Sequence, residues 1–404
     1  MFKLLQIADS LNWGSVGRIA SQIGDLVMSK GGESYIAYGR YSNPSKSTPI
    51  KVGKSIELYW HILQTRLFDR HGLESRFATK QLISEIKKIN PDIIHLHQIH
   101  GYFLNYPLLF DFLSSLDIPI VWTLHDCWLF TGHCAHFDLQ GCTLWKTGCH
   151  NCPLKGEYPK SFFFDRSKKN YKQKKISFTS LGERLVLVPV SEWLANFVHD
   201  SFLKNTKTLT IHNGVDIDVF KPLSHVKVND KIMPFRIMGC ASPWTEKKGF
   251  NDFLRLRSIL PIDKYHIIMV GLSHEQCLQL PEGITGVERT QNVQQLAELY
   301  SSSDVFVNTT YEDNYPTVNL EAISCGTPVI TYDTGGSPES VSHLVGCVVE
   351  QGNIEQLVDA IRTIERYDKQ LMSQQCRLYA EEHFSNKDCF QKYLNLYNEL
   401  LNLR

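Results

Sequence analysis

The chain lacks any surplus of charge: 42 Lys and Arg stand against 42 Asp and Glu. No field of one sign draws nucleic acid to it, and none is expected as a partner. It lacks a run of eighteen apolar residues, which excludes a transmembrane helix. Its first residues, MFKLLQIADS, hold no apolar signal segment and start directly as a strand, so a cytoplasmic protein is expected. Internal repeats, low-complexity tracts and a G-x-G-x-x-G turn are missing too. The remaining composition, 43% hydrophobic and 21% charged, is that of a globular protein. Its 404 residues are too many for one ordinary domain and suit two. Cysteine alone is plentiful: eleven occur, and in a reducing compartment they should be thiols or metal ligands rather than disulfides.

Lys3–Asp9 reads as a first strand. Asn12, Gly14, Ser15, Val16, Gly17 and Arg18 then open a helix reaching about Lys30, and Ser34–Gly39 is a second strand. In such a corner Gly14 and Gly17 let backbone N–H groups approach a phosphate; a tight turn with no ligand is an equal reading. Residues 55–90 carry Leu58, Ile62, Leu63 and Leu67, then Leu82, Ile83, Ile86 and Ile89, at helical spacing, and Pro91 closes them. Asp92–His97 and Ile118–His125 are short β-branched runs without alternation, as in a buried parallel sheet. His125, at the carboxyl end of the second run, could bond a sugar hydroxyl or accept a proton; a structural histidine is the plainer alternative. His95, His97 and His100 have no partner set for a metal.

Five cysteines fall between Cys127 and Cys152. Cys149 and Cys152 have the spacing of a zinc knuckle, and Cys134 and Cys142 could complete a structural four-thiolate zinc site. Reduced, buried thiols are the alternative. Residues 155–184 then carry Lys155, Lys160, Arg166, Lys168, Lys169, Lys172, Lys174 and Lys175, interleaved with Phe162, Phe163, Phe164 and Tyr171. This reads as a basic, aromatic helix: either a solvated face or, over 160–175, a patch for an anionic membrane surface. Leu185–Val190 is a strand, Ser191 a cap for the helix Glu192–Phe202, and Leu209–His212 another strand. Asn213-Gly214 and Pro222 mark the end of a first domain. The expected division is 1–218, with a Cys-rich insertion at 127–153, then 219–385, then a final helix at 386–404. Asp216-Ile217-Asp218 spells D-x-D but follows a turn at this linker and is rejected as a metal motif.

The second half restarts with the strand Phe235–Ala241. Lys247, Lys248 and Gly249 stand near the next helix start, where cations oppose the helix dipole. A bound pyrophosphate would explain that placement. The stretch that organises this half is Val305–Tyr332: a strand, an acidic loop Glu312–Thr317, a helix Val318–Ser324 and a strand Pro328–Tyr332. Ligands bind at the carboxyl ends of such strands. Asp313 on that rim and Glu321 in the helix could hold polyol hydroxyls, and the backbone around Asn314, Tyr315, Pro316 and Thr317 could hold a phosphate. Otherwise Asp313 is an N-cap and Glu321 answers the dipole.

The stretch YEDNYPTVNLEAISCGTP resembles the E-x7-E region of the family 4 retaining glycosyltransferases, written here as D-x7-E with Asp313 and Glu321; Glu312 lies one residue out of register. The resemblance covers nearly the whole chain. The HDCW…GHC…GC-x-x-CP block is similar to a subgroup acting in capsule or exopolysaccharide synthesis. It implies the GT-B architecture: two doubly wound, Rossmann-like α/β domains facing across a cleft, the last helix crossing back to the first. It also implies that Gly14–Gly17 faces the donor or acceptor and that His125 lies against the transferred sugar. Lys248 matches the lysine of the family's R-x4-K, while Pro243 stands where the arginine belongs and Lys247 substitutes. The expected activity is metal-free, retaining hexosyl transfer from a nucleotide sugar to a saccharide, lipid-linked, at the inner face of the membrane. Asp313 or Glu312 would hold the sugar and Glu321 the ribose. A nucleotide-sugar 2-epimerase of the same fold and a silent carbohydrate-binding protein are the alternatives.

Overall fold

A computed structural model of the chain describes residues 2–223 and 234–402. They form two compact units, one gathering the chain up to His212 together with Phe390 onward, the other Asn213–Cys389.

In the first unit seven strands, β1 (Lys3–Ala8), β2 (Glu33–Tyr38), β3 (Thr48–Lys51), β4 (Ile93–Leu96), β5 (Ile120–Leu124), β6 (Leu185–Pro189) and β7 (Lys207–Thr208), make one sheet in the order β3-β2-β1-β4-β5-β6-β7. Every pair is parallel, so each crossover needs a helix or a long loop. Six helices supply most of these: α1 (Gly14–Ser29), α2 (Ser55–Phe68), α3 (Arg76–Ile89), α4 (Tyr106–Ser114), α5 (Ser167–Thr179) and α6 (Glu192–Asp200). β4 and β5 are buried throughout, which is why their sequences do not alternate. Beside them Phe110, Trp122, Trp128 and Phe178 pack ring on ring.

The second unit has its own sheet of six parallel strands, β8 (Phe235–Cys240), β9 (Tyr265–Val270), β10 (Ile284–Val287), β11 (Val305–Asn308), β12 (Val329–Tyr332) and β13 (Gly346–Val349), in the order β10-β9-β8-β11-β12-β13. Around it lie α7 (Phe250–Ile259), α8 (His274–Leu278), α9 (Val293–Ser302), α10 (Thr317–Ser324), α11 (Ile354–Ile364) and α12 (Lys369–His383). Helix α13 (Asn386–Asn402) ends the description. The order reverses between β1 and β4 in the first sheet and between β8 and β11 in the second. Loops diverge at such points and leave room for a ligand.

Several expectations need correction. The single helix over 55–90 is two, α2 and α3, parted by a turn in which Asp69, Gly72 and Ser75 all take positive φ. The strand at Leu209–His212 is instead Lys207–Thr208, and α4 and β3 lie in stretches whose periodicity had signalled neither. The basic, aromatic helix is also different. Only Ser167–Thr179 is helical, and Tyr171 and Lys174 are buried. The Lys174 ammonium donates to the Trp128 carbonyl at 2.6 Å and sits 3.5 Å from the centre of the Trp128 ring. Burial lowers its pKa to about 7, so a lysine that reads as solvated is part of the core.

Helix α13 is held to the first sheet by a buried polar chain. His95 on β4 bonds the Tyr397 hydroxyl at 2.6 Å and the Thr123 hydroxyl at 2.7 Å, and Thr123 donates to Tyr393 at 2.9 Å. Replacing Tyr397 with Phe strands one His95 nitrogen in the core. Chemical denaturation should show a loss of about 1–3 kcal/mol, with the heavier loss expected if α13 also frays.

Candidate active site

In the second unit the loops after β8 and β11 leave the sheet side by side at the switch point. The first carries Glu246–Lys248 as a short 3-10 turn, and Gly249 follows in the left-handed region before α7 begins. A Cβ at Gly249 would overlap the Thr309 carbonyl and hydroxyl, so only glycine lets the two loops approach this closely. The Tyr311 N–H donates to the Lys247 carbonyl at 2.8 Å. Two ion pairs complete the junction: Lys247 to Glu312 at 2.9 Å and Lys248 to Asp313 at 2.8 Å. Lys248 also donates to the Thr310 hydroxyl at 3.2 Å and the Glu312 carbonyl at 3.3 Å. The structure thus brings together the two lysines expected at the pyrophosphate and the two acids expected, one or the other, at the sugar.

Three features suit this junction to a ligand. Both lysines remain about one-third exposed, so an anion can reach them. The second carboxylate oxygen of Glu312 is buried with no hydrogen-bond partner, an acceptor awaiting a hydroxyl. Helix α10 starts at Thr317 behind Pro316 with no side chain capping it, so its first-turn N–H groups are not taken by a cap. Asn314, Tyr315 and Pro316, just ahead of it, are buried.

Glu321 lies differently from the rim residues. It is buried inside α10 and accepts a hydrogen bond from Tyr300 at 3.1 Å. Beside it, burial pushes Cys240 up to about 12. Sequence reading missed what braces the junction. Asp252 on α7, buried, accepts from Tyr311 at 2.7 Å and Tyr332 at 3.0 Å. Gln351 donates to the Tyr311 carbonyl at 3.2 Å and the Thr334 hydroxyl at 2.6 Å. Gly335 has φ +56, and a Cβ there would overlap the Asp313 carbonyl. The Gly-Gly pair at 335–336 was the one sequence signal for that close approach.

In the first unit polar groups gather at the carboxyl ends of β1, β4 and β5. His97 bonds Gln6 at 3.1 Å, and its other ring nitrogen lies 3.4 Å from His125. Burial lowers His125 to about 4, against the opposing pull of Asp126. The ring is therefore neutral near pH 7 and suited to hydrogen bonding. Asp126 accepts from His100 at 2.9 Å, Gln98 at 3.2 Å and the Trp128 N–H at 2.9 Å. Burial alone would raise this carboxyl, but those partners hold it below the usual range. Asp9 moves the other way, raised by burial despite the Ser10 hydroxyl at 3.0 Å. Gly14 takes φ +66 at the start of α1, which no side chain caps. Gly17 serves the turn itself, since a Cβ would lie 2.9 Å from the Ser10 hydroxyl.

The thiols of the cysteine cluster lie near one another. Cys134 donates its thiol hydrogen to Cys152, raising the first and lowering the second to about 7. The Gly132 N–H donates to Cys149 at 3.1 Å. Cys142 is half-buried. Among the described residues no group of three or more His, Cys, Asp or Glu is disposed to hold a metal ion. Cys134, Cys142, Cys149 and Cys152 are free thiols, and Cys134 and Cys149 are buried. The insertion is anchored instead by His133, which bonds buried Asp69 at 2.6 Å. Asp216 of the D-x-D triplet accepts from the N–H groups of Asp218 and Val219, a turn rather than a metal site.

The family model described as "Glycosyltransferase Family 4" matches residues 17–219, and that described as "Glycosyl transferases group 1" matches residues 227–383. A candidate colanic acid biosynthesis glycosyl transferase of Escherichia coli (strain K12), WcaC, is 24% identical over 397 residues, 92% of this chain and 90% of its own. Sucrose-phosphate synthase from Thermosynechococcus elongatus has a TM-score of 0.73 at 14% identity, covering 100% of each chain. Anabaena HepE in complex with UDP-glucose has a TM-score of 0.65 at 15% identity, covering 99% of this chain and 100% of its own. The two-sheet GT-B fold is thereby shown.

Buried histidines make the first unit sensitive to acid. Burial lowers His61 and His95 to about 3 and His125 to about 4, whereas each titrates near 6.5 when unfolded. The unfolded chain binds more protons between these values, so this contribution is intact above about pH 6.5 and is lost as pH falls toward 4 and then 3. Thermal melts from pH 7.5 to 4.5 should show a melting temperature that falls progressively below pH 6.5.

Proposed function

The chain belongs to Glycosyltransferase Family 4, whose model matches half of it, and from that membership we propose that it moves a hexosyl group from a nucleotide sugar to a saccharide with retention at the anomeric carbon. The observation that carries the reading is the junction of Lys247 and Lys248 with Glu312 and Asp313 at the switch point of the second sheet.

Breaking the bond from C1 to the leaving oxygen places charge on the departing diphosphate. Two ammonium groups and the uncapped N-terminus of α10 are suited to stabilise it. As the diphosphate arrives it competes with the carboxylates for the lysines. Glu312 and Asp313 are then released to accept sugar hydroxyls, and the orphaned oxygen of Glu312 is the first available. Lysine provides a point charge without the bidentate fork of the family's arginine, so orientation falls more heavily on the helix N–H groups. Glu321, inside α10, is assigned to the ribose. Its bond to Tyr300 fixes its direction. Neutral His125 in the first unit is assigned to a hydroxyl of the transferred sugar. No step is routed through a metal. The lysines carry the compensating charge.

The donor class rests on the junction and on the UDP-glucose that HepE, of the same fold, is described as binding. The acceptor class, a lipid-linked saccharide met at the cytoplasmic face of an anionic membrane, rests on the WcaC name and on a neighbour described as involved in lipopolysaccharide biosynthesis. Among the described residues no helix is long and apolar enough to cross a membrane, so such an acceptor would be met at a surface.

The test is a panel of nucleotide sugars scored by thermal shift, with and without EDTA, followed by transfer to lipid-linked saccharides. One donor and its free nucleoside diphosphate should stabilise the protein equally in both conditions. Lys248→Ala should cut transfer by about 10²–10³-fold, the usual effect of removing one charge-stabilising donor, and weaken diphosphate binding. NMR of the product should show the donor's anomeric configuration. Conversion of the donor sugar without acceptor would identify an epimerase, and stabilisation by saccharide alone would identify a silent binding protein.

A further inference from the structure

Helix α2 is folded inside out. Its buried positions are His61 and Thr65, followed by Asp69 just past its end. The Thr65 hydroxyl donates to the His61 carbonyl at 2.9 Å, and His61 and Asp69 hold the neighbouring chain. His61 accepts from the Gly72 N–H at 2.9 Å and pairs with Ser75 at 2.9 Å, and Asp69 accepts from His133 and from the Arg166 N–H at 2.8 Å. The outward positions, at helical spacing, are Ile56 (75% exposed), Tyr59 (69%), Trp60 (53%), Leu63 and Phe68. A surface helix of a water-soluble protein shows the opposite pattern. The loop Phe162, Phe163 and Phe164 continues this face, and Phe163 is 70% exposed. It is tied to α2 by the Phe162 N–H on the Arg66 carbonyl at 2.7 Å and by Phe68 against Phe164, with ring centres 5.5 Å apart. Contiguous apolar surface of this kind marks a place of contact.

The charges around it select the contact. Lys54 precedes the helix and Arg66 is exposed near its end. Lys160 stands 5.4 Å over the Phe162 ring, and Lys155 donates to the Phe163 carbonyl at 3.3 Å. Lys168 and Lys169 follow, exposed, at the start of α5. Against these stand Glu57, which bonds the N–H groups of Lys54 and Ala78, Asp165, which bonds those of Cys152 and Ser167, and exposed Glu157. Cations rimming a belt of Trp, Tyr and Phe match an anionic bilayer: aromatic rings settle among the headgroups, and lysine stems reach along them to phosphate.

We propose that the outward face of α2, with Phe162–Phe164, is the surface by which this protein lies on an anionic lipid bilayer. The proposal rests on the lipid-linked acceptor proposed above and moves the membrane contact away from the basic helix, whose Tyr171 and Lys174 are buried. A cavity of about 210 Å³ opens beside the stripe. Arg40, Lys51, Lys54, Leu58, Tyr59 and Ile62 are among its lining residues. A phosphate-bearing lipid lying against α2 would meet cations there.

The experiment is co-sedimentation of the full chain with vesicles of phosphatidylcholine alone and of phosphatidylcholine with phosphatidylglycerol. The wild type should bind the mixed vesicles, less so in high salt. Trp60→Ser with Phe163→Ser should weaken binding about tenfold or more, given that burial of apolar side chains adds to the electrostatic term. The exposed control Leu278→Ser, on α8, should bind as the wild type does. Should the double variant melt early, Phe163→Ser alone is read, since that ring is exposed on a loop. Equal binding by variant and wild type overturns the proposal. So does a wild type that ignores vesicles but self-associates through this face, with the variant monomeric; the occupant would then be a second copy. Donor stabilisation measured on the same samples separates the two readings. Lost vesicle binding with donor binding intact removes only the membrane contact, and vesicle binding without donor binding or transfer removes only the enzymatic assignment.

Discussion

Two lysines and two carboxylates fasten the loop after β8 to the loop after β11, and much else in the second unit is arranged to permit it. Each pair is partly exposed, so each contributes only about 1 kcal/mol or less to stability. The pairs are better understood as holding the two loops in register. Buried charge that cannot exchange partners is of little use to a ligand, whereas these ammonium groups are about one-third exposed and can trade a carboxylate for a diphosphate. That exchange demands close loops, and close loops demand glycine at 249 and 335, where any side chain would run into backbone. It also demands a rigid floor, supplied by Asp252 between Tyr311 and Tyr332.

The first unit solves a different problem. Its carboxyl-end groups are histidines whose state burial sets and an acid whose state its partners set. His125 is kept neutral, and Asp126 is kept ionised by the bonds it accepts. The long insertion after β5 is organised by Asp69 and Lys174, a buried anion and a buried cation, each with hydrogen-bond partners of its own. Ordering a loop of this length without regular structure needs such anchors. The inner face of α2 is given instead to His61, which holds the turn at Gly72 and Ser75, and the apolar residues of the helix lie outward.

Sequence pattern was most informative where one physical signal acted alone. The β-branched runs Ile93–Leu96, Ile120–Leu124, Leu185–Pro189 and Val305–Asn308 could be little else than buried parallel strands, and the alternation of strands with helices sets the α/β class. Family resemblance added the two-sheet architecture. Where two signals competed, the pattern misled. In 55–90 helical spacing continued across residues whose backbone turns left-handed. In 155–184 lysines resembled a solvated face although one of them lies under Trp128.

The sequence by itself determined the chemistry on offer: which loops hold lysines, which hold acids, and that they sit at strand ends, because period and composition are local properties of the chain. Which groups meet is settled by strand order and packing. That Lys247 faces Glu312, that Glu312 keeps an unbonded oxygen, that Glu321 turns to Tyr300, and that α2 shows its apolar side to solvent all depend on residues tens of positions apart. No local pattern encodes such pairings, since they are fixed by strand order and by the hydrogen bonds that buried polar groups must find.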